Sequence, residues 1–518
     1  MTVKAALLGA AVALTPLLAA PCGAQNTASL PSGLGVSDQE LQSAITVAQQ
    51  AIGGGDCNGL LAALDPLVPR MADSPQRTVV QRMRIACLGA VGRTADLPVV
   101  QRELSKSLPR DGLVKAFGAL IAADENRFVD AANQISDIAD SSPDALQILT
   151  GTAIRAISAR LTEQKSFDVR GRMLISLARA DWQPADLPEL RASFAEGAIN
   201  ALITQDRTPE AEALLERIEQ PESLAGMAID RHFVNLWPAI EGLLGPSSGT
   251  AVDDFARSRL AIYAESDQSA SALSDAANAM LLLHRYQDVV DLTNDVRIAP
   301  GMSRDDVQSI LYRARALAML GHRGDAEKTL AGFLAVDPHS APDISTGLVT
   351  YAEFLDEGGR EQEALGAVRA TREKTADILS DYGKRWIDRT EVCALSALGR
   401  IAEATTALAA LNKVSSQNEP ATIEAMLCMK RDDDAARLLT KAVADEDAAG
   451  NLLLQFQPAA STFAPMPSRL RELWIAFGTR PDVKAVFERH GRILPRTLWP
   501  QPTPREIPRR ARGGSDLT

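Results

Sequence analysis

The chain has 518 residues, of which 46% are hydrophobic, 23% charged and 4% aromatic, with 34 Gly and 28 Pro. That balance excludes collagen, a low-complexity chain and a fully disordered one, and the length fits several domains or one long repeat array. A formal charge of −12 excludes a general nucleic-acid binder, because phosphate needs a cationic face, and disfavours a polybasic membrane-surface protein.

The chain opens MTVKAALLGAAVALTPLLAAPCGAQ, with one cation, Lys4, ahead of an apolar run at 5–20 and small residues at Cys22-Gly23-Ala24. This is the pattern of a secretory signal peptide over residues 1–25, cleaved on export, and it predicts a periplasmic protein. The run is short for a membrane span and no basic cluster follows it. Pro21 stands just before Cys22, where a lipoprotein needs a small residue, so lipidation is discounted. No later stretch approaches the apolar length of a span, so no transmembrane segment is expected in the mature chain. Four cysteines then remain: Cys57, Cys87, Cys393 and Cys428. An even number in an exported chain suggests disulfides. Three pairings are possible, and the short separations favour Cys57–Cys87 and Cys393–Cys428. No CxxC occurs, so neither a thioredoxin-like site nor a zinc knuckle is supported.

After a polar leader at 26–37, Leu and Ala recur at three- and four-residue steps and long alternating patterns are absent, which predicts helix after helix. Short turns separate them, as at Gly53-Gly54-Gly55, Ser141-Ser142-Pro143 and Asp337-Pro338. The clearest unit is 307–340. Ala314 and Leu317 share a face of a first helix, Gly321 ends it, Ala326, Leu330 and Phe333 line a second, and Pro338 closes the unit. The two alanines let backbones approach, the large residues fill the remaining volume, Gly321 accepts a positive φ, and Pro338 cannot continue the helix.

This unit resembles the tetratricopeptide repeat, a helix–turn–helix of about 34 residues. Ile310 stands where that family often has Trp. Further copies run through Ala352, Leu355, Gly359 and Ala364, and through Leu395, Gly399, Ala404 and Leu408. Degenerate ones surround His284 and Ala435. Turn positions 284, 321, 359, 399 and 430 follow at intervals of 37, 38, 40 and 31, so the helices are of unequal length. The amino half is fainter, with Ala131, Ile135, Ile138 and Pro143 at the offsets of a second helix.

The expected architecture is therefore all-α: an α-solenoid of antiparallel helix pairs, with C-terminal capping helices. It divides as signal peptide 1–25, a degenerate repeat half at 26–241, a tetratricopeptide-like half at 250–463, capping helices at 464–495 and a disordered basic tail at 496–518. A Gly/Ser/Pro stretch at 242–249 separates the halves as a hinge or as a long inter-helix loop. The capping piece carries Trp474, Phe477 and Phe487 and shields the last repeat from water. The tail sets Arg496, Arg505, Arg509, Arg510 and Arg512 against Glu506 and Asp516.

No active site is legible. The histidines His232, His284, His322, His339 and His490 show no HxxxH spacing, and no P-loop or GxSxG elbow occurs. Asp432-Asp433-Asp434 suits the positive end of a helix dipole better than a metal. No enzyme activity, cofactor or metal is expected. In the family that the repeats resemble, the concave face of first helices binds an extended peptide or a partner helix. That resemblance implies a groove of Asn278, Arg315, Glu353, Asp356, Trp386 and Arg389, mixed in charge with one aromatic. The expected function is a periplasmic scaffold that binds an envelope protein or peptide. The alternative is an accessory factor or enzyme of peptidoglycan or exopolysaccharide processing, or of outer-membrane export.

Overall fold

A computed structural model describes residues 35–509, apart from 268, 445 and 464–467. The signal-peptide expectation at 1–25 and the end of the tail from 510 lie outside the described residues. Those described form an all-α protein without β-strands, in which a lone antiparallel bridge pairs Asp230 with Gly491. The chain divides into two compact units, at Ile218 and Glu219. The stretch at 242–249, expected to separate the halves, instead lies inside the second unit. There Gly245, Ser247 and Ser248 take positive φ of 65°, 56° and 54° in a tight inter-helix turn. It joins helices that belong to one packing group, so it is not a hinge between the two units.

The first unit comprises α1 (Asp38–Gly53), α2 (Cys57–Leu64), α3 (Pro75–Ala90), α4 (Leu97–Ser107), α5 (Gly112–Asp124), α6 (Phe128–Ser141), α7 (Gly151–Glu163), α8 (Phe167–Arg179), α9 (Leu190–Thr204) and α10 (Thr208–Glu212). Neighbours in sequence pack as neighbours in space. The hairpin turns each contain a left-handed residue: Gly55, Gly92, Asn126, Lys165 and Asp206. Three of these are not glycine, which is why the repeats here are faint in sequence. Cys57, at the start of α2, is bonded to Cys87 of α3 with Cα atoms 4.9 Å apart.

The second unit begins with α11 (Pro221–Ile229), α12 (Trp237–Leu244) and α13 (Gly249–Glu265). Five helix pairs follow: α14 (Ala270–Leu282) with α15 (Tyr286–Leu292), α16 (Arg304–Met319) with α17 (Arg323–Ala331), α18 (Ile344–Glu357) with α19 (Glu361–Thr375), α20 (Asp381–Ala397) with α21 (Ile401–Asn412), and α22 (Glu419–Cys428) with α23 (Asp432–Ala442). The five turn positions expected from sequence all adopt positive φ: His284 58°, Gly321 82°, Gly359 73°, Gly399 73° and Lys430 55°. Helix starts follow local chemistry. Ser303 and Asp306 form a reciprocal capping box at α16, and α23 opens on its three aspartates. Cys393 of α20 is bonded to Cys428 at the end of α22, Cα atoms 5.1 Å apart. Both favoured cysteine pairings are thus present.

Val307, Ile310, Ala314, Ala326, Leu330 and Phe333 make the core of the clearest repeat. The Phe333 ring lies against the backbone of Gly347 in the next helix, where an added Cβ would sit 2.5 Å from it. The first helices α14, α16, α18, α20 and α22 stack in a row. The chain ends with α24 (Glu446–Gln455), α25 (Arg469–Gly478) and α26 (Pro481–His490). Here α24 packs on α22 and also on α11, α11 on α13, and α13 on α14, so the row of inner helices closes on itself.

The last helices do more than cap the final repeat. After α26 the chain runs back to the start of the unit. Arg492 donates from its amide to Ile229 O at 2.9 Å, pairs with Glu241 at 2.6 Å, and lies 3.5 Å from the Trp237 ring centre. Ser248 Oγ donates to Leu498 O. Residues 496–509, expected as the start of a disordered tail, continue along the unit: Arg505 donates from its amide to Leu283 O at 2.9 Å and pairs with Asp253 at 2.7 Å. Arginine-rich composition suggested disorder; carboxylates and carbonyls some 250 residues upstream hold the segment in place.

Candidate functional site

The inner faces of α16, α18, α20 and α22 carry a set of buried and half-buried charged side chains. Arg389 of α20 is only 3% exposed and forms the centre. Its Nη2 donates to Glu353 Oε1 at 3.0 Å, its Nε lies 3.1 Å from Glu424 Oε2, and its Nη1 lies 3.6 Å from Asp356 Oδ2. Its guanidinium stands over the Trp386 ring at 5.1 Å, one turn earlier on the same helix. Glu353 and Asp356, on α18, follow at a three-residue step and so share a face.

The groove expected from sequence is occupied by the chain itself. Asp356 is fully buried and accepts from Arg469 Nη2 at 2.6 Å, while Arg469 Nε donates to the Asp356 carbonyl at 3.1 Å. Trp474 Nε1 donates to Glu424 Oε1 at 2.9 Å. Arg315 of α16 reaches the Phe463 carbonyl at 3.4 Å, and within the C-terminal segment Arg471 donates to the Gln457 carbonyl at 2.8 Å. Of the six expected groove residues, the structure brings Glu353, Asp356, Trp386 and Arg389 together. It places Arg315 against the same C-terminal segment. Asn278 is half-buried on α14 and is not part of this cluster.

Sequence reasoning missed Glu424, Arg469 and Trp474 as partners. Glu424 had a signal, since it lies on the first helix of a pair that had been recognised. The other two sit in the capping piece, and nothing in their local sequence says that they turn inward onto α18 and α22.

The charges do not balance one to one. Glu353, Asp356 and Glu424 are in direct contact with two guanidiniums, Arg389 and Arg469, while Glu357 and Arg471 act on the set from further off. Burial works against the Arg389 charge, yet the surrounding carboxylates, Glu424 foremost, outweigh it and hold its pKa above the ordinary value. Burial pushes the carboxyls of Asp356 and Glu424 up against the pull of the arginines. Glu353 keeps 24% of its side-chain surface but sits deep among the helices, and burial pushes it up to about 7. Glu353 is thereby the member of the set that titrates near neutrality.

A pH effect follows. Because the folded Glu353 pKa lies above its unfolded value, its ionisation penalty is absent below the unfolded pKa, grows as pH rises through the interval, and is complete above about 7. Glu353→Gln keeps an oxygen for Arg389 and removes the titration. The variant is expected to be more stable than the parent chain by about 1–3 kcal/mol at pH 8, with the difference fading by about pH 4.5. Denaturant unfolding of the full chain at the two pH values checks it; an equal difference at both would refute the assignment.

Among the described residues no helix is long and apolar enough to cross a membrane. No family model and no curated protein matches the chain. Among solved structures the chain is similar to "Structure of Naa15/Naa10 bound to HypK-THB", at 11% identity over 77% of this chain and 68% of that chain, with a TM-score of 0.24. It is also similar to "Crystal Structure of the Yeast Tom70", at 14% identity over 87% of this chain and 99% of that chain, with a TM-score of 0.26. At those scores neither likeness bears on function, and the α-solenoid rests on the helix pairs and their turns.

Proposed function

We propose that this protein is a periplasmic scaffold, exported by a cleaved signal peptide, that holds envelope proteins or peptides and carries out no reaction itself. The observation that carries this reading is the way the second unit treats its own C-terminal segment. Side chains on successive inner helices grip it through main-chain carbonyls, a carboxylate–arginine pair and an indole N–H. Its helix α25 buries Leu470, Trp474 and Phe477 at steps of four and three, the spacing with which a helix is taken into a groove. The two disulfides fit an oxidising compartment.

With the inner row occupied in cis, partner contacts fall to surfaces outside it. Tyr382, at the start of α20, is 49% exposed, its ring 6.2 Å from that of Trp386 and nearly perpendicular to it. Exposed aromatics of this kind are frequent anchors of protein contacts. Charge reversal at Glu353 or Arg315 does not test the idea, because both belong to the packed interior. A photo-crosslinking residue at position 382, used in the native envelope, does. The expected result is a processed chain in the periplasmic fraction with a discrete protein adduct that Tyr382→Ala reduces in a pull-down. An unprocessed cytoplasmic chain, or no adduct at all, would overturn the proposal.

A further inference from the structure

The chain beyond Leu498 differs from what precedes it. Up to that point the C-terminal segment is anchored by buried apolar residues, Trp474, Phe477, Phe487, Leu494 and Leu498. None of residues 500–509 is buried. This arm is held instead by a few polar contacts over α13 and the α14–α15 turn. Arg505 bonds Leu283 O through its amide and Asp253 through both Nε, at 3.1 Å, and Nη2, at 2.7 Å. Arg257 reaches the carbonyl of Arg509 at 3.3 Å. A segment that buries little apolar surface and hangs on exposed hydrogen bonds opens at low free-energy cost.

Beneath the arm lies His284, 6% exposed, at the left-handed turn position where the other well-formed repeats carry glycine. Its ring stacks on Tyr286 with centroids 5.6 Å apart. Neither ring nitrogen has a hydrogen-bond partner, and the arm crosses at the adjacent residue, where the Arg505 amide bonds Leu283 O. The charged groups on the elements packed about it are Arg505 and Glu506 on the arm, Asp253 and Arg257 on α13, Arg285 paired with Asp288 on its own hairpin, and Arg315 of α16, and of these Arg505 acts on the imidazole. No carboxylate in this set, Glu506 included, bonds the imidazole, whose two nitrogens have no partner; Asp253 is engaged by Arg505, and Asp288 by Arg285.

We propose that residues 500–509 form an acid-released latch, with His284 as the group that senses the proton. A protonated imidazole here is buried without a hydrogen-bond partner and repelled by the Arg505 charge, and leaving of the arm returns it to water. Burial, with Arg505 adding to it, holds the folded His284 pKa below the ordinary imidazole value, while the Pro502 main chain works the other way. The released state therefore binds the proton more tightly, and acidification through the range below about 6.5 favours release.

Hydrogen exchange of the full chain tests this through the Arg505 amide, corrected for intrinsic rate. Its protection is expected to fall by about tenfold or more between about pH 7.5 and about pH 5.0. In His284→Asn, which tolerates the left-handed backbone and does not titrate, protection is expected to hold at both pH values. Unchanged protection in the parent chain would overturn the proposal. So would an equal fall in the variant, which would assign the effect to a carboxylate such as Asp253. Loss of protection at both pH values in the variant would also overturn it, by showing that the ring only packs the arm.

Discussion

Arg389→Ala is expected to destabilise the second unit by about 3–5 kcal/mol at pH 8. The reason is what it leaves behind. With the guanidinium gone, Glu353 loses a 3.0 Å hydrogen bond and Glu424 a cation 3.1 Å away, while Asp356 keeps only Arg469. An uncompensated buried charge costs more than the intact pair contributes. Two further outcomes separate this from simple loss of packing. The deficit should shrink as pH falls, because the orphaned carboxylates then take up protons, whereas a packing defect is indifferent to pH. Adding Glu353→Gln and Glu424→Gln to the arginine variant should restore part of the loss, since a set without charge no longer needs its cation. Denaturant unfolding followed by tryptophan fluorescence reads all of these, with Trp386 and Trp474 inside the affected region. A pH-independent deficit, or no recovery in the combined variant, would show that Arg389 acts through its bulk.

The same residues show how far the sequence could be read. Alanines where helices cross, large residues one turn on, and turn positions at 284, 321, 359, 399 and 430 specify helix pairs by local sterics, and all five positions are left-handed in the structure. Local rules suffice there because each pair is built from neighbours in sequence. They fail where contacts are distant. Glu353, Asp356 and Arg389 were legible as inward-facing, but Asp356 and Arg469 lie 113 positions apart and Glu424 and Trp474 50. Nothing local marks Arg469 as filling the groove that Asp356 helps to form. The arm is the extreme case. Arg505 finds Asp253 at a separation of 252 residues, and by composition alone the same stretch reads as a solvated tail. In the first unit the obstacle was of another kind: Asn126, Lys165 and Asp206 do the work of glycine, so the spacing survives while its marker is missing.

Whether the C-terminal segment is a resident part of the core or a lightly docked occupant of the groove is decided by Trp474. It is 1% exposed, lies edge-on to Phe456 at 5.2 Å, is 6.1 Å from Phe477, and gives its N–H to Glu424. Removing such a side chain from a packed interior costs about 3–5 kcal/mol. Trp474→Ala is therefore expected to lower the unfolding free energy of the second unit by that amount. Trp474→Phe refills most of the volume but leaves a buried Glu424 oxygen without its donor, at about 1–3 kcal/mol. If the segment is resident, both losses appear in the main unfolding transition, because the segment joins α22 to α11 and closes the row of inner helices. If it were a detachable occupant, the alanine variant would release it at little global cost, and protease sites near Arg469 and Arg471 would open while the main transition stayed in place. The aromatic cluster of Phe456, Trp474, Phe477 and Phe487 argues for the first outcome. The buried set around Arg389 would then act as an internal fastening of the solenoid, and recognition of other proteins would belong to surfaces outside it.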